Sequence, residues 1–163
     1  MQNNIVVGLG EIKISNNPND VLVAYGLGSC LGITFFDPVM KLAGMVHAVL
    51  PTCDTSIPQT EASTKYVCCG IDTLLKKIVD AGGQRGRLVI RMAGGANMLS
   101  ATSFSDIMNI GQRNIESARQ KLSELKFQVA GEEVGGNIGR TVRFYVVDGR
   151  VAIRMMGGKE REI

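Results

Sequence analysis

The chain has 163 residues, a length that fits one domain and can bury a core without disulfides or metals. Hydrophobic residues make up 45% and charged residues 20%, an ordinary composition for a soluble globular protein that does not indicate disorder. The 18 basic and 15 acidic residues give a formal charge of +3 with no basic run, and Trp is absent, so the composition argues against nucleic-acid binding. We expect a single domain spanning residues 1–163.

No apolar segment reaches the length of a transmembrane helix, and residues 1–4 carry no positive charge of the kind that opens a signal peptide. We therefore expect a cytoplasmic protein with no membrane insertion. In that compartment cysteines are thiols rather than disulfides. This prediction covers all four cysteines of the chain: Cys30, Cys53, Cys68 and Cys69. The spacing of Cys68 and Cys69 and the presence of a single histidine, His47, argue against structural zinc.

The first part of the chain is predicted to form short strands separated by turns. Apolar and β-branched runs predict strands at residues 5–9, 11–14, 21–25, 31–36 and 43–50. The clusters Asn16–Asp20 and Asp37-Pro38 indicate turns, and Pro51 to Thr60 is predicted to be a polar loop.

The second part adds two helices. Apolar residues at helical spacing predict a helix over 61–80, which Gly82-Gly83 ends. The stripe of Ile115, Ala118, Leu122 and Leu125 predicts another over 112–126. Strands are predicted at 87–92, 127–133, 141–147 and 150–155. Several antiparallel hairpins with two substantial helices predict an α+β fold with helices packed on sheet faces.

Cys30 and His47 are the residues most suited to chemistry. They stand on two predicted strands joined at Asp37-Pro38. A four-residue turn at 37–40 pairs positions whose numbers add to 77, and 30 and 47 add to 77. In a regular ladder the two residues would be directly opposite, with Cβ atoms about 5 Å apart. A bulge or a longer loop would change this register.

A thiol beside an imidazole is suited to nucleophilic catalysis, because the thiolate is the nucleophile and the imidazole can take its proton. Gly28 and Ser29 precede the cysteine, and a bent backbone there would turn amide groups toward the oxyanion of a tetrahedral intermediate. This combination predicts acyl transfer through a thioester. The residues alone leave an alternative open, since a cysteine in an apolar strand is usually a small buried hydrophobe and a lone histidine is often structural.

Other candidate motifs are weaker. Gly26-x-Gly28 lacks the third glycine of a dinucleotide fingerprint, because position 31 is Leu31, and no phosphate-binding Gly-Lys-Ser/Thr occurs. Cys53 has no second histidine to activate it. A redox or metal protein would need two close cysteines, and no Cys-x-x-Cys occurs.

Several segments in chain order resemble the CheD family of chemoreceptor glutamine deamidases, and together they cover nearly the whole chain. They are Gly26-Leu27-Gly28-Ser29-Cys30, Asp37-Pro38, Gly44-Met45-Val46-His47, Leu50-Pro51, Ala93-Gly94-Gly95-Ala96-Asn97-Met98, Asn109-Ile110-Gly111-Gln112-Arg113-Asn114, Gly135-Gly136-Asn137, Gly139-Arg140 and Val151 to Gly158.

The resemblance implies a layered α/β sandwich of mixed β-sheets flanked by helices. It implies that Cys30 attacks a glutamine side chain on the cytoplasmic domain of a chemoreceptor, a methyl-accepting chemotaxis protein, and that His47 activates the thiol and protonates the departing ammonia. No cofactor or metal is implied. The family also binds the CheC phosphatase, which implies a second protein partner.

One position departs from the family pattern. The family usually carries a threonine six residues before the cysteine to orient the histidine, and here that position is Ala24. A backbone carbonyl, a water or a hydroxyl would have to replace the threonine, with Tyr25 and Thr34 as the candidate hydroxyls. The departure also leaves an alternative function, a non-catalytic adaptor that binds receptors and a CheC-type phosphatase.

Overall fold

The computed structural model describes residues 1–52, 61–98 and 109–163. Within these ranges the chain forms ten strands, two α-helices and two short 3-10 turns. The strands are β1 (Asn3–Val6), β2 (Ile12–Ser15), β3 (Asp20–Leu27), β4 (Leu31–Asp37), β5 (Leu42–Ala48), β6 (Val89–Gly94), β7 (Val129–Val134), β8 (Arg140–Tyr145), β9 (Val151–Met155) and β10 (Glu160–Glu162). The helices are α1 (Val67–Asp80) and α2 (Ile110–Glu124), and the 3-10 turns are Glu61–Lys65 and Arg85–Arg87.

The strands form two mixed five-stranded sheets. The first sheet has the order β1-β3-β8-β9-β10 and the second β2-β5-β4-β6-β7. β1 pairs parallel to β3 and β6 parallel to β7, whereas the other neighbours are antiparallel. The predicted α+β sandwich of mixed sheets is confirmed.

The two sheets face each other across an apolar layer, which we call the inter-sheet core. Alternation along each strand sends every second side chain into this layer. The contributing side chains are Val7, Leu22, Ala24, Leu27, Phe36, Ala43, Met45, Ala93, Val142, Phe144, Val146, Val151 and Ile153. The side chains that alternate with these on β4 and β5 point to the opposite face of the second sheet, which the helices cover.

Both helices pack on that opposite face of the second sheet. Val67, Ile71, Leu74 and Ile78 recur at helical spacing on α1 and are buried there. A Cβ atom at Gly44 of β5 would lie 2.7 Å from Leu74 Cδ1, so this glycine lets α1 lie close to the sheet. The buried face of α2 includes the predicted residues Ile115, Ala118 and Leu122.

The predicted elements are all present, with three differences. The helix predicted over 61–80 is divided at Tyr66, which has an extended backbone. The first strand lies parallel to β3, a pairing that the sequence analysis did not predict. The sequence analysis missed β10 because all three of its residues, Glu-Arg-Glu, are exposed and show no apolar alternation. The predicted loop Pro51 to Thr60 lies outside the described residues beyond Thr52.

The turn between β4 and β5 is held by Asp37, which belongs to β4. Its fully buried carboxylate accepts hydrogen bonds from the N–H groups of Val39 (3.0 Å) and Met40 (3.1 Å). It also accepts hydrogen bonds from Arg87, from Nε at 3.0 and 3.2 Å and from Nη2 at 2.8 Å. The connecting loop therefore runs from 38 to 41, with Lys41 in the left-handed region at φ 51°.

Candidate active site

Cys30 ends the three-residue connection between β3 and β4. Its side chain is half-buried and packs against the inter-sheet core. Burial raises the pKa of the Cys30 thiol above its ordinary value of 9.0, and the residue's own backbone N–H opposes this by stabilising the thiolate. The thiol is therefore protonated at neutral pH and needs a base to become a nucleophile.

His47 lies on β5 with only 5% of its surface exposed. It alternates with Ala43 and Met45 and so faces the inter-sheet core that Cys30 contacts. Burial lowers the pKa of His47 below its ordinary value of 6.5, while a hydrogen bond to Val7 and the charge of Glu11 act in the opposite direction. The imidazole is consequently neutral at pH 7 and can accept a proton.

The Val7 carbonyl oxygen lies 2.9 Å from His47 Nδ1. A carbonyl can only accept a hydrogen bond, so Nδ1 carries the hydrogen and the neutral ring keeps its lone pair on Nε2. Val7 is itself held in place, since its N–H donates to the Val23 carbonyl at 2.8 Å. This backbone carbonyl therefore fixes the histidine tautomer that a general base requires.

The register between β4 and β5 corrects the sequence prediction. His47 pairs with Gly32 and not with Cys30, because Asp37 pairs with Leu42 and the turn occupies 38–41 instead of 37–40. The turn begins and ends one residue later than predicted. The numbers of paired residues therefore add to 79 instead of 77. The prediction of a directly opposite pair is wrong.

The displacement keeps Cys30 and His47 on the same face of the sheet. A shift of two positions preserves the alternation of side chains, and residues offset in this way in a regular ladder are diagonal neighbours about 7–8 Å apart, with Cβ atoms somewhat closer. Cys30 directly precedes Leu31, the last paired residue of β4. Gly32 contributes no side chain between them. Among the described residues no hydrogen bond joins the thiol to the imidazole, and catalytic hydrogen bonds often form only when substrate binds.

Neither of the two candidate hydroxyls orients His47. Tyr25 is 52% exposed, and the Thr34 hydroxyl donates to the Arg91 carbonyl at 3.2 Å. The group that takes this role is the Val7 carbonyl. The sequence analysis included a backbone carbonyl among the possible acceptors but named none. Every residue has a carbonyl, so the sequence does not show which one lies beside the imidazole.

The loop before Cys30 is tied to the end of β6. Gly95 N–H donates to the Cys30 carbonyl and Ala96 N–H to the Gly28 carbonyl, both at 2.8 Å. A Cβ atom on Gly94 would lie 2.1 Å from the Cys30 carbonyl oxygen, and Gly94 has a φ of 115°. Only glycine fits this position, so the close approach explains part of the Gly-Gly segment seen in the sequence.

The Ser29 carbonyl is also bound, by the side-chain amide of Asn114 at 2.8 Å. In a trans peptide the N–H of the next residue points away from the carbonyl. The N–H groups of Ser29 and Cys30 consequently point away from these contacts. Neither of them donates to an acceptor elsewhere in residues 1–52, 61–98 or 109–163. The Cys30 N–H contacts the residue's own sulfur.

The remaining cysteines require one correction. Cys30 and Cys68 are thiols as predicted, but Cys69 is disulfide-bonded, so the prediction of four thiols is wrong for Cys69. Cys53 lies outside the described residues.

No group of three or more His, Cys, Asp or Glu side chains within the described ranges is arranged to hold a metal ion. No helix of this part of the chain is long and apolar enough to cross a membrane.

Comparison with known proteins decides the family. The family model described as CheD chemotactic sensory transduction matches residues 49–155. A protein of Halalkalibacterium halodurans named chemoreceptor glutamine deamidase CheD is 39% identical over 163 residues, covering 100% of both chains. The chain belongs to the CheD family. A Symbiobacterium thermophilum protein named probable chemoreceptor glutamine deamidase CheD is 39% identical over 157 residues, 96% of this chain and 95% of the relative.

A solved structure adds no further argument. The hypothetical protein YfiH of Bacillus licheniformis has a TM-score of 0.47 at 14% identity, over 75% of this chain and 49% of that chain. The CheD family model begins at residue 49, so Cys30 and His47 lie outside its match. Both positions lie inside the full-length similarity to the Halalkalibacterium relative.

The CheD family threonine can be restored to test the role of Val7. We expect Ala24→Thr to change kcat by less than about fivefold, because His47 already has an acceptor for its Nδ1 hydrogen. Ala24 is fully buried in the inter-sheet core, so a larger side chain costs about 1–3 kcal/mol of unfolding free energy. Ala24→Val has the same shape without the hydroxyl and separates the two effects. A tenfold or greater gain confined to the threonine variant would show that the Val7 carbonyl is insufficient.

Proposed function

We propose that this chain deamidates glutamine side chains of a chemoreceptor, with Cys30 as the nucleophile and His47 as the general base and acid. The observation that carries the reaction class is the full-length similarity to relatives named chemoreceptor glutamine deamidase CheD. The placement of Cys30 and His47 on one face of the second sheet supports the assignment of roles.

The reaction begins when Nε2 of His47 takes the thiol proton of Cys30 and the sulfur attacks the amide carbon of the glutamine side chain. The tetrahedral intermediate collapses as His47 returns the proton to the leaving nitrogen, which departs as ammonia. A thioester between Cys30 and the substrate acyl group remains. Water then attacks the thioester with His47 as base, which releases glutamate and restores the thiol.

In this proposal Gly28 and Ser29 support the oxyanion through the peptide groups that join them to the next residue. Gly28 and Cys30 have carbonyls fixed by the β6 loop, and Ser29 has its carbonyl fixed by Asn114. The N–H groups of Ser29 and Cys30 are then held in one orientation before substrate binds, which is the condition for stabilising charge in a transition state.

The proposed partners follow from the family. The proposed substrate is the cytoplasmic domain of a chemoreceptor, the proposed location is therefore the cytoplasm, and the proposed second partner is a CheC-type phosphatase. The alternative of a non-catalytic adaptor drew its support from Ala24. Since the Val7 carbonyl supplies the acceptor that a threonine would supply, Ala24 no longer favours an inactive protein.

Incubation with a chemoreceptor cytoplasmic fragment from the same organism tests the function. We expect peptide mass spectrometry to find specific glutamines converted to glutamate, and no conversion with Cys30→Ala or His47→Ala. Binding of the fragment by the wild-type protein without any conversion would refute the deamidase and restore the adaptor.

The pH dependence of kcat/KM follows from the burial of His47. The neutral ring is the active form, and because burial lowers its pKa, the acid limb of the profile has its midpoint below 6.5. Glu11→Gln removes a charge that raises the pKa of His47, so this variant moves the limb to lower pH. Rates measured from about pH 5 to about pH 9 would show both effects. A midpoint at or above 6.5 would contradict the assignment of a buried neutral base.

A further inference from the structure

Asn114 on α2 is fully buried and contacts both segments that carry the proposed catalytic pair. Its side-chain Nδ2 donates to the Ser29 carbonyl at 2.8 Å and to the Val49 carbonyl at 3.0 Å. Ser29 directly precedes Cys30, and Val49 follows His47 by two residues. One amide group thereby bridges the entry to β4 and the exit from β5.

The bridge stands where the two strands separate. The last pair of the β4–β5 ladder is Leu31 with Ala48, and beyond it the Cys30 carbonyl turns to Gly95 of the β6 loop. Direct pairing of β4 with β5 therefore includes His47 but stops one residue short of Cys30. Beyond the last pair, Asn114 donates one hydrogen bond to Ser29, which precedes β4, and one to Val49, which follows β5.

The two carbonyl acceptors determine the orientation of the Asn114 amide. Nδ2 faces two carbonyl oxygens, and a flipped amide would place Oδ1 against them. Oδ1 has no hydrogen-bond partner among the described residues, so the two donor bonds alone set the side chain. Loss of these bonds would leave two part-buried carbonyls without the donor that Asn114 supplies.

The helix that carries Asn114 cannot easily move relative to the site. A Cβ atom on Gly111 would lie 2.4 Å from the Ala96 carbonyl oxygen, so the first turn of α2 packs backbone to backbone against the β6 loop. The same loop binds the carbonyls of Gly28 and Cys30. The close packing of α2 on this loop thus holds Asn114 in position next to the ends of both strands.

We propose that Asn114 is a positioning residue that sets the placement of Cys30 relative to His47. The inference rests on the proposed roles of these two residues. It assigns no contact with substrate to Asn114, which acts through the backbone on either side. Because the thiol and imidazole are diagonal neighbours on one face, a small movement of either strand end changes their separation directly.

Asn114→Ala removes both hydrogen bonds. We expect kcat for deamidation to fall by about 10–100-fold with KM changed by less than about twofold, as for a small misplacement of reacting groups. Asn114→Ser keeps one donor in a smaller side chain and is expected to lie between the wild type and Asn114→Ala. Circular dichroism and thermal melting establish that each variant is folded at the assay temperature, and Asn114→Ser supplies the test if Asn114→Ala is unfolded.

Ser117→Ala is the matched control on the same helix. Ser117 donates from its hydroxyl to the Pro51 carbonyl at 2.6 Å, a buried hydrogen bond to a backbone acceptor two residues beyond Val49 in the chain. We expect this variant to retain kcat within about twofold. An equal loss of kcat in Ser117→Ala would show that any weakening of α2 is enough, and would overturn the proposal.

A double-mutant cycle separates positioning from general destabilisation. The rate of Cys30 alkylation by iodoacetamide is measured in the wild type, Asn114→Ser, His47→Gln and the double variant. We expect Asn114→Ser to slow alkylation toward the rate of His47→Gln, and to have no further effect in the His47→Gln background. An equal effect in both backgrounds, or unchanged kcat in folded Asn114 variants, would overturn the proposal. Since alkylation needs no receptor, failure of the deamidase function would appear separately, as a wild type without turnover.

Discussion

Replacing Cys30 with alanine is expected to lower the rate of glutamine deamidation by at least about four orders of magnitude. The variant removes the sulfur that we propose forms the thioester, and the half-buried position tolerates the smaller side chain. His47→Gln is expected to cost less, about 10²–10⁴-fold, because general base catalysis contributes that much and a thiol retains some reactivity without it. Measured kcat/KM on a chemoreceptor fragment gives both values.

Cys68→Ala is the matched control for Cys30. Cys68 is a second half-buried thiol, on α1, which lies on the opposite side of the second sheet from the inter-sheet core. We expect this variant to retain the wild-type rate. The double variant Cys30→Ala/His47→Gln is expected to be no slower than Cys30→Ala alone, because residues that act in one step do not contribute additively. A clear further loss would mean that His47 has a role apart from Cys30.

Asp37→Ala is expected to lower the free energy of unfolding by about 3–5 kcal/mol, the usual cost of breaking a buried ion pair. The carboxylate is fully buried and binds Arg87 and three backbone N–H groups, of Val39, Met40 and Gln84. Its removal leaves the Arg87 guanidinium without its carboxylate and the β4–β5 turn without its anchor. Denaturation by urea, followed by circular dichroism, measures the loss.

Asp80→Ala provides the comparison for a surface ion pair. Asp80 pairs with Lys76 at 2.6 Å, but both side chains are mostly exposed, so we expect a change below about 1 kcal/mol. If Asp37→Ala cost as little as this control, the buried pair would not hold the turn.

The same carboxylate makes stability depend on pH. The Arg87 guanidinium holds the pKa of Asp37 well below its ordinary value of 3.8, so the stabilisation is fully present above that value and is lost as the pH falls below it. Asp37→Asn removes this titration, and its unfolding free energy should fall less steeply than that of the wild type in the same acid range.

The face shared by Cys30 and His47 could be predicted from the sequence, but their pairing could not. Alternation along two strands joined by a short turn is enough to place both side chains on one side. The pairing depends on which residue ends β4. That residue is Asp37, because Arg87 and Gln84 bind its carboxylate from about fifty positions farther along the chain. Sequence analysis cannot pair such distant residues, so it could not predict the end of β4.

The supporting groups of the site were also beyond sequence analysis. The Val7 carbonyl belongs to a backbone that any residue could provide. It lies beside His47 because the Val7 N–H donates to the Val23 carbonyl and the residues that follow Val7 exchange backbone hydrogen bonds with His47 itself. Asn114 stands in a segment that resembles the CheD family, yet nothing in the sequence shows that one amide spans two strands. The disulfide of Cys69 was missed because the expected compartment argued for thiols.

The most direct test of the account is the mass of the protein itself during turnover. Wild type and Cys30→Ala are mixed with a chemoreceptor fragment, quenched in acid at early times and analysed by intact and peptide mass spectrometry. The account predicts a transient species equal in mass to the protein plus the fragment minus one ammonia, joined through Cys30, while glutamate accumulates only with the wild type. Conversion of glutamine to glutamate by Cys30→Ala at the wild-type rate would contradict it.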